Sequence, residues 1–122
     1  MSHIVHIPAE VRDPAAIAAA CQRLGLAAPT HGTAKLYSES AAGWIVELPG
    51  WQYPVVCDTA NGEIKYDNFK GHWGDQSQLD KFLQAYAVEK SRLAARQAGH
   101  TMFETPLSDG SIKVTVQIGG AA

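Results

Sequence analysis

Along this chain the apolar positions repeat with a period near 3.6 or near 2, and the switches between the two periods mark out the elements. The longer period is clearest from about Asp75 to His100. There Leu79, Phe82, Leu83, Tyr86, Ala87, Leu93 and Ala94 recur mostly at three- and four-residue intervals, which predicts a long helix with one apolar face. Ser77 with Asp80 reads as a capping pair, Asp75 is a rival N-cap, and Gly99 follows Arg92 and Arg96 where a left-handed C-cap belongs. Tyr86 and Leu83 are expected at the centre of the buried stripe and Gln84 on the opposite side. A shorter helix starts at Asp13, an N-cap followed by Pro14, carries Ile17, Cys21 and Leu24 as its stripe, and ends at Gly25.

The period of two predicts strands. Residues 2–8 form the first, expected to pair in the interior of a sheet. Residues 33–38 and 43–48 follow as a hairpin joined around Ser40-Ala-Ala-Gly43. Residues 53–58 and 63–66 make a second, turned by Asn61-Gly62 as a positive-φ pair. After the long helix, residues 101–105 and 111–118 flank Asp109-Gly110. Ile112, Val114, Val116 and Ile118 alternate there with Lys113, Thr115 and Gln117, which predicts one buried and one wet face. The order β-α-β-β-β-β-α-β-β, with hairpin-linked strands, predicts an α+β fold: a largely antiparallel sheet with both helices packed on one face. One domain is expected over residues 1–118, with 119–122 a flexible C-terminal tail.

Composition narrows the function classes. The chain is 46% hydrophobic and 18% charged with a formal charge of -2, so it has neither the low hydrophobicity of a disordered chain nor the basic excess of a nucleic-acid binder. No apolar run is long enough for a membrane span and no leader pattern opens the chain, so neither a membrane partner nor export is expected, and the expected address is the cytoplasm. Cys21 and Cys57 lack metal-ligand spacing and are expected as free, buried thiols.

Met1-Ser-His-Ile4 at the start, Val11-Arg-Asp13 leading into a helix closed by Leu24-Gly25, Tyr86-Ala87 in a long helix closed by Gly99, and the closing Asp109-Gly-Ser-Ile112 together carry a likeness. The layout resembles a family of small uncharacterised proteins from bacteria, cyanobacteria and chloroplast genomes, the ycf thirty-five type. Its members begin Met-Ser-His-Phe where this chain has Ile4, and their middle section varies, so nothing in residues 66–74 is carried over. The resemblance implies no reaction. It implies an accessory role, with an ATPase or a redox protein as the partner suggested by gene neighbourhood.

The residues that could carry chemistry cluster before the long helix: Tyr66, Asp67, Phe69, Lys70, His72, Trp73 and Asp75. A helix N-terminus offers unpaired N–H groups to an anion, and His72 or Lys70 would stand beside it. The competing reading has Trp73 and Phe69 closing the core edge while Gly71 and Gly74 turn the chain. Trp44, Trp51 and Tyr53 bracket Pro49-Gly50 and form a second aromatic group. His3 and His6 fall on opposite faces of a strand, the Met1 amine with His3 could clip copper or nickel fortuitously, and His31, His72 and His100 lie on separate segments. No nucleophile elbow or phosphate loop is present, so no cofactor and no metal are expected. The leading expectation is a non-enzymatic accessory module that binds a protein partner through Tyr66, Lys70, His72, Trp73, Asp75 and Trp51. The alternative is a small enzyme or ligand-binding protein with a pocket around His72. An exposed apolar patch marks the first, a concave pocket with convergent polar groups the second.

Overall fold

Two aspartates start the helices by the same device. Asp13 accepts hydrogen bonds from the N–H groups of Ala15 and Ala16 and is followed by Pro14, opening α1 (Pro14–Arg23); Asp75 accepts from Ser77 N–H at 3.0 Å, opening α2 (Gln76–Gln97). Asp75 is therefore the cap. Asp80 does not close a capping box and instead accepts from the Gln76 side chain at 3.4 Å. Gly25 and Gly99 end the helices with φ of 71° and 76°.

The computed structural model describes residues 5–8 and 10–118. The expected start at Ser2, the fortuitous Met1–His3 clip and the tail at 119–122 lie outside the described residues. A five-stranded antiparallel sheet is built from β1 (Val5–Pro8), β2 (Thr30–Lys35), β3 (Ser40–Val46), β4 (Val55–Asp58) and β5 (Glu63–Tyr66), in the order β1-β5-β4-β3-β2. Strand β1 is thus at an edge and not in the interior. The meander β2-β3-β4-β5 uses up its own inner positions and leaves only two outer edges. The segment after β1 is held at the β5 side, where Val11 N–H donates to Gly62 O at 3.1 Å and Arg12 Nη1 to Ala60 O at 3.0 Å. The fold class expected from the sequence is the one observed, with both helices on one face of this sheet.

The first hairpin of the meander turns elsewhere than expected, and the second turns between the expected strands but with a different geometry. The first turn is residues 36–39, where Leu36 N–H donates to Glu39 O at 2.8 Å, and Ser40 to Gly43 belong to β3. The physical reason is Leu36, which is fully buried with Ala41 and Val56 on the sheet face away from the helices. Gly43 turns nothing: it lies where β4 passes close by, and a side chain there would meet the Cys57 carbonyl inside 3.0 Å. The second turn spans residues 59–62 and not two residues. Asp58 and Asn61 side chains accept from Ala60 and Glu63 N–H, and only Gly62 has positive φ, at 79°.

The helix-side core is Ile17, Ala20 and Cys21 from α1, Val46, Val55, Cys57 and Ile64 from the sheet, and Leu79, Phe82 and Tyr86 from α2. Leu83 and Leu93 are half-buried, whereas Ala87 and Ala94 are exposed and Ala85, Val88 and Ala95 take their place as buried residues. At about 100° per residue Val88 is on the opposite side of α2 from Leu79. That second side is covered by a separate ribbon of β6 (Thr101–Pro106) and β7 (Ile112–Gln117), folded back along α2. Gln84 is accordingly not on a free surface, because its side chain donates to Gly110 O in the ribbon's turn at 3.1 Å. The inward face of β7 is only half-buried at Ile112 and Val114 and exposed at Val116, short of the buried face expected.

A chain of alternating charges ties the ribbon to both helices. Arg23 Nη2 reaches Glu104 Oε2 at 2.7 Å and Arg23 Nε donates to Glu89 Oε2 at 2.9 Å; Arg92 also pairs with Glu104 and stands 3.8 Å from Glu89. Single pairs of this exposure contribute at most about 1 kcal/mol, so the four groups act mainly by fixing where β6 lies.

Cys21 and Cys57 are both free and buried, from α1 and β4. Burial, with Cys21 adding to it, pushes the Cys57 thiol from its ordinary 9.0 up to about 12. Because only the thiolate reacts, we expect a disulfide reagent at pH 8 to modify neither thiol in the native protein and both in denaturant. Prompt modification of either in the native state would contradict this burial. The sign of the pH effect follows: the raised value contributes stability that is complete below about pH 9 and lost as pH rises toward 12.

Candidate functional site

The connection from β5 to α2, residues 67–75, is built on its own hydrogen bonds. Asn68 is the stitch: its carbonyl accepts from Gly71 N–H at 3.0 Å and Trp73 N–H at 2.9 Å, and its amide donates to Gly74 O and Gln76 Oε1. Asp67 is fully buried, with Oδ1 accepting from Phe69 N–H at 3.1 Å and Oδ2 without a hydrogen-bond partner. Directly after them Phe69 and Lys70 adopt φ of 46° and 53°. Two successive non-glycine residues in this region cost on the order of 1 kcal/mol or more each, and the surrounding bonds hold them there.

Trp73 is the hub of the segment. Its ring centre lies 4.9 Å from Tyr37, 5.6 Å from Tyr53 and 4.8 Å from Phe69, and Phe69 in turn lies 4.8 Å from His72. Tyr53 packs on the Leu36, Ala41 and Val56 cluster, so the group sits on the sheet face away from the helices. Tyr37 is 52% exposed and Trp73 half-buried, with Lys70 and His72 in solvent beside them. The result is an aromatic surface edged by one cation and one imidazole, with the two left-handed residues presenting it.

The six residues singled out in the sequence divide around the sheet. Trp73, Lys70 and His72 belong to this outer surface. Trp51 and Tyr66 pack with the helix-side core, edge to face at 5.6 Å, and Trp51 Nε1 donates to Asp75 O at 3.0 Å. Trp51 also lies against Gly74 so closely that a Cβ there would fall within 3.0 Å of its ring. Asp75 caps α2, and the Ser77 N–H holds its carboxyl below the usual carboxylate range. These three anchor the loop from behind. Trp44 also packs against the helix-side core and meets His31 at 5.1 Å. Tyr37 was not foreseen as part of the surface. Its signal is the polar run Ser38-Glu39-Ser40 that follows, which marks a turn where a large exposed ring has no packing reason to sit.

Two depressions open near this end of the molecule. One is lined by Leu24, Leu26, Leu48, Pro49, Gln78 and Lys81, the other by Glu47, Leu48, Trp51, Gln52, Tyr53 and Pro54; His72 lines neither. Among the described residues no three His, Cys, Asp or Glu side chains are grouped to hold a metal ion, and no helix is long and apolar enough to cross a membrane. Compared with protein-family models, curated proteins and solved structures, the chain matches none.

Proposed function

We propose that this protein is a non-enzymatic accessory module of the cytoplasm that binds a protein partner through the surface around Trp73. The observation that carries the reading is the ring group of Tyr37, Tyr53, Phe69 and Trp73, on the sheet face opposite α1 and α2 and rimmed by Lys70 and His72. Large aromatic rings give contact area at little entropic cost and are enriched where proteins recognise one another. The left-handed Phe69 and Lys70 support it, since backbone strain is concentrated at binding and switching segments. The likeness to the ycf thirty-five type family points the same way, and makes an ATPase or a redox protein the partner class to look for. The charge of -2 and the want of a basic stripe argue against nucleic acid.

The test compares capture from host extract by the wild-type chain and by a Tyr37→Ala, Lys70→Ala variant. Both positions are exposed, so the variant is expected to lose no more than about 1 kcal/mol of stability. It is expected to lose at least one protein that the wild type retains, identified by mass spectrometry and rebuilt from purified components. An identical set of captured proteins removes this surface from partner binding.

A further inference from the structure

The two edges of the C-terminal ribbon are not alike. Strand β6 ends in Pro106 and turns Glu104 inward onto Arg23 and Arg92, devices that keep an edge from pairing with another chain. Strand β7 has no proline, a single charge at Lys113, and strict alternation; its edge away from β6 pairs with nothing among the described residues. Val116 is 41% exposed and Ile118 78% exposed. Beside this edge runs a groove lined by Ser91, Ala94, Ala95, His100 and Val116. Its helical wall continues as Ala87, Ser91, Ala94 and Ala98, all exposed, at intervals of four, three and four residues on one side of α2.

We infer that β7 is the strand through which two copies of this chain dimerise, antiparallel to itself about a two-fold axis at Thr115. A two-fold contact needs a self-complementary surface, and an antiparallel strand pair meets that need when its register suits the side chains. Centred on Thr115, Val114 faces Val116 of the second copy, Ile112 faces Ile118, and Lys113 faces Gln117. Centring on Lys113 would set two lysines opposite one another, and centring on Val114 would leave Ile118 against Gly110. Centring on Val116 would pair Ile118 with Val114 but leave Ile112 and Lys113 without partners in the same stretch; only the Thr115 register pairs every residue from Ile112 to Ile118 with another of that stretch and opposes no like charges.

The layer beneath agrees with the strand pairing. In the resulting four-stranded sheet the centres of the two ribbons lie two strand spacings apart, about 9.6 Å. Packed helices lie about 8 to 10 Å apart. The two α2 helices, antiparallel under the joined sheet, therefore meet at contact distance, and the alanine and serine strip leaves room for them to do so. Strand pairing alone would fall short of the roughly 800 Å² per partner of a stable interface. The exposed helix strip adds area to the strand pair. This surface is at the C-terminal half of α2, away from the loop at its N-terminus, so it stands or fails separately from the proposed partner site.

Sedimentation of the purified wild-type chain is expected to give the mass of two chains, falling toward one on dilution. Ile118→Glu and Ala94→Glu alter residues already exposed in the single chain and are expected to sediment as one chain with an unchanged circular dichroism spectrum. Thr115→Cys is expected to give a disulfide-linked dimer under mild oxidation, because residues directly opposite have Cβ atoms about 4.5 to 5.5 Å apart. Lys113→Cys is expected not to, because its copies would be about four residues' rise, or 13 Å, apart. The native Cys21 and Cys57 are buried and leave the readout clean. A wild-type chain that stays single at every concentration, glutamate variants that stay dimeric, or equal cross-linking at 113 and 115 would each overturn the assignment.

Discussion

Gly43→Ala is expected to destabilise the protein by about 4 kcal/mol or more, in the range reserved for substitutions that break a packed core or strained backbone. The alanine Cβ would enter the space of the Cys57 carbonyl, a backbone group that cannot swing aside as a side chain can. Gly43 also holds φ of 154°, outside what an L side chain readily adopts. Relief requires β3 and β4 to part at the centre of the sheet, where Trp44 pairs with Cys57 and Ile45 with Val56. Against a total stability of about 5 to 15 kcal/mol, a loss of this size leaves much of the chain unfolded under ordinary conditions. Urea melts of the two proteins give the answer: a midpoint shift equivalent to less than about 1 kcal/mol would mean that the strands do not approach this closely.

Phe82→Ala is expected to cost about 3 to 5 kcal/mol, since Phe82 is the largest fully buried side chain and truncation leaves a cavity between α2 and the sheet. Leu83→Ala, one position on and half-buried, is expected to cost clearly less, because part of the group it removes already faces water. The pair discriminates between faces of α2. Equal losses in denaturant would place the stripe between the two positions. A larger loss at Leu83 would restore the centre that periodicity alone suggests.

The helices were legible because their signals are local. Asp13 with Pro14, and Asp75 two residues before Ser77, satisfy first-turn N–H groups by short-range bonds that sequence spacing encodes directly. The first hairpin was misplaced because a glycine between apolar runs has two physical uses, a turn or a close approach, and only the partner strand decides. At Gly43 the partner is Cys57, fourteen positions on. The second buried side of α2 was hidden for a related reason: Val88 and Ala95 are small, and their burial depends on a ribbon that arrives later in the chain. In the candidate site Trp51, Tyr66 and Trp73 divide around the sheet, while Tyr37 joins Trp73 across thirty-six positions. Contacts of that span leave no mark in a single sequence.

The edge position of β1 bears on the order in which the chain becomes structured. Pairing Val5 with Tyr66 closes a loop of about sixty residues, whereas the turns at 36–39, 59–62 and 107–110 close over a few. Loop closure costs grow with the logarithm of length, so the three hairpins and the two capped helices can form on short timescales before β1 has any surface to join. The strand that completes the sheet is the earliest in sequence and the latest to find its place. During synthesis it emerges long before β5 exists, and it must wait for the meander that it finally borders. Until then β5 is an open template on which a β1 segment from a neighbouring chain can also dock, the more so as the chain concentration rises.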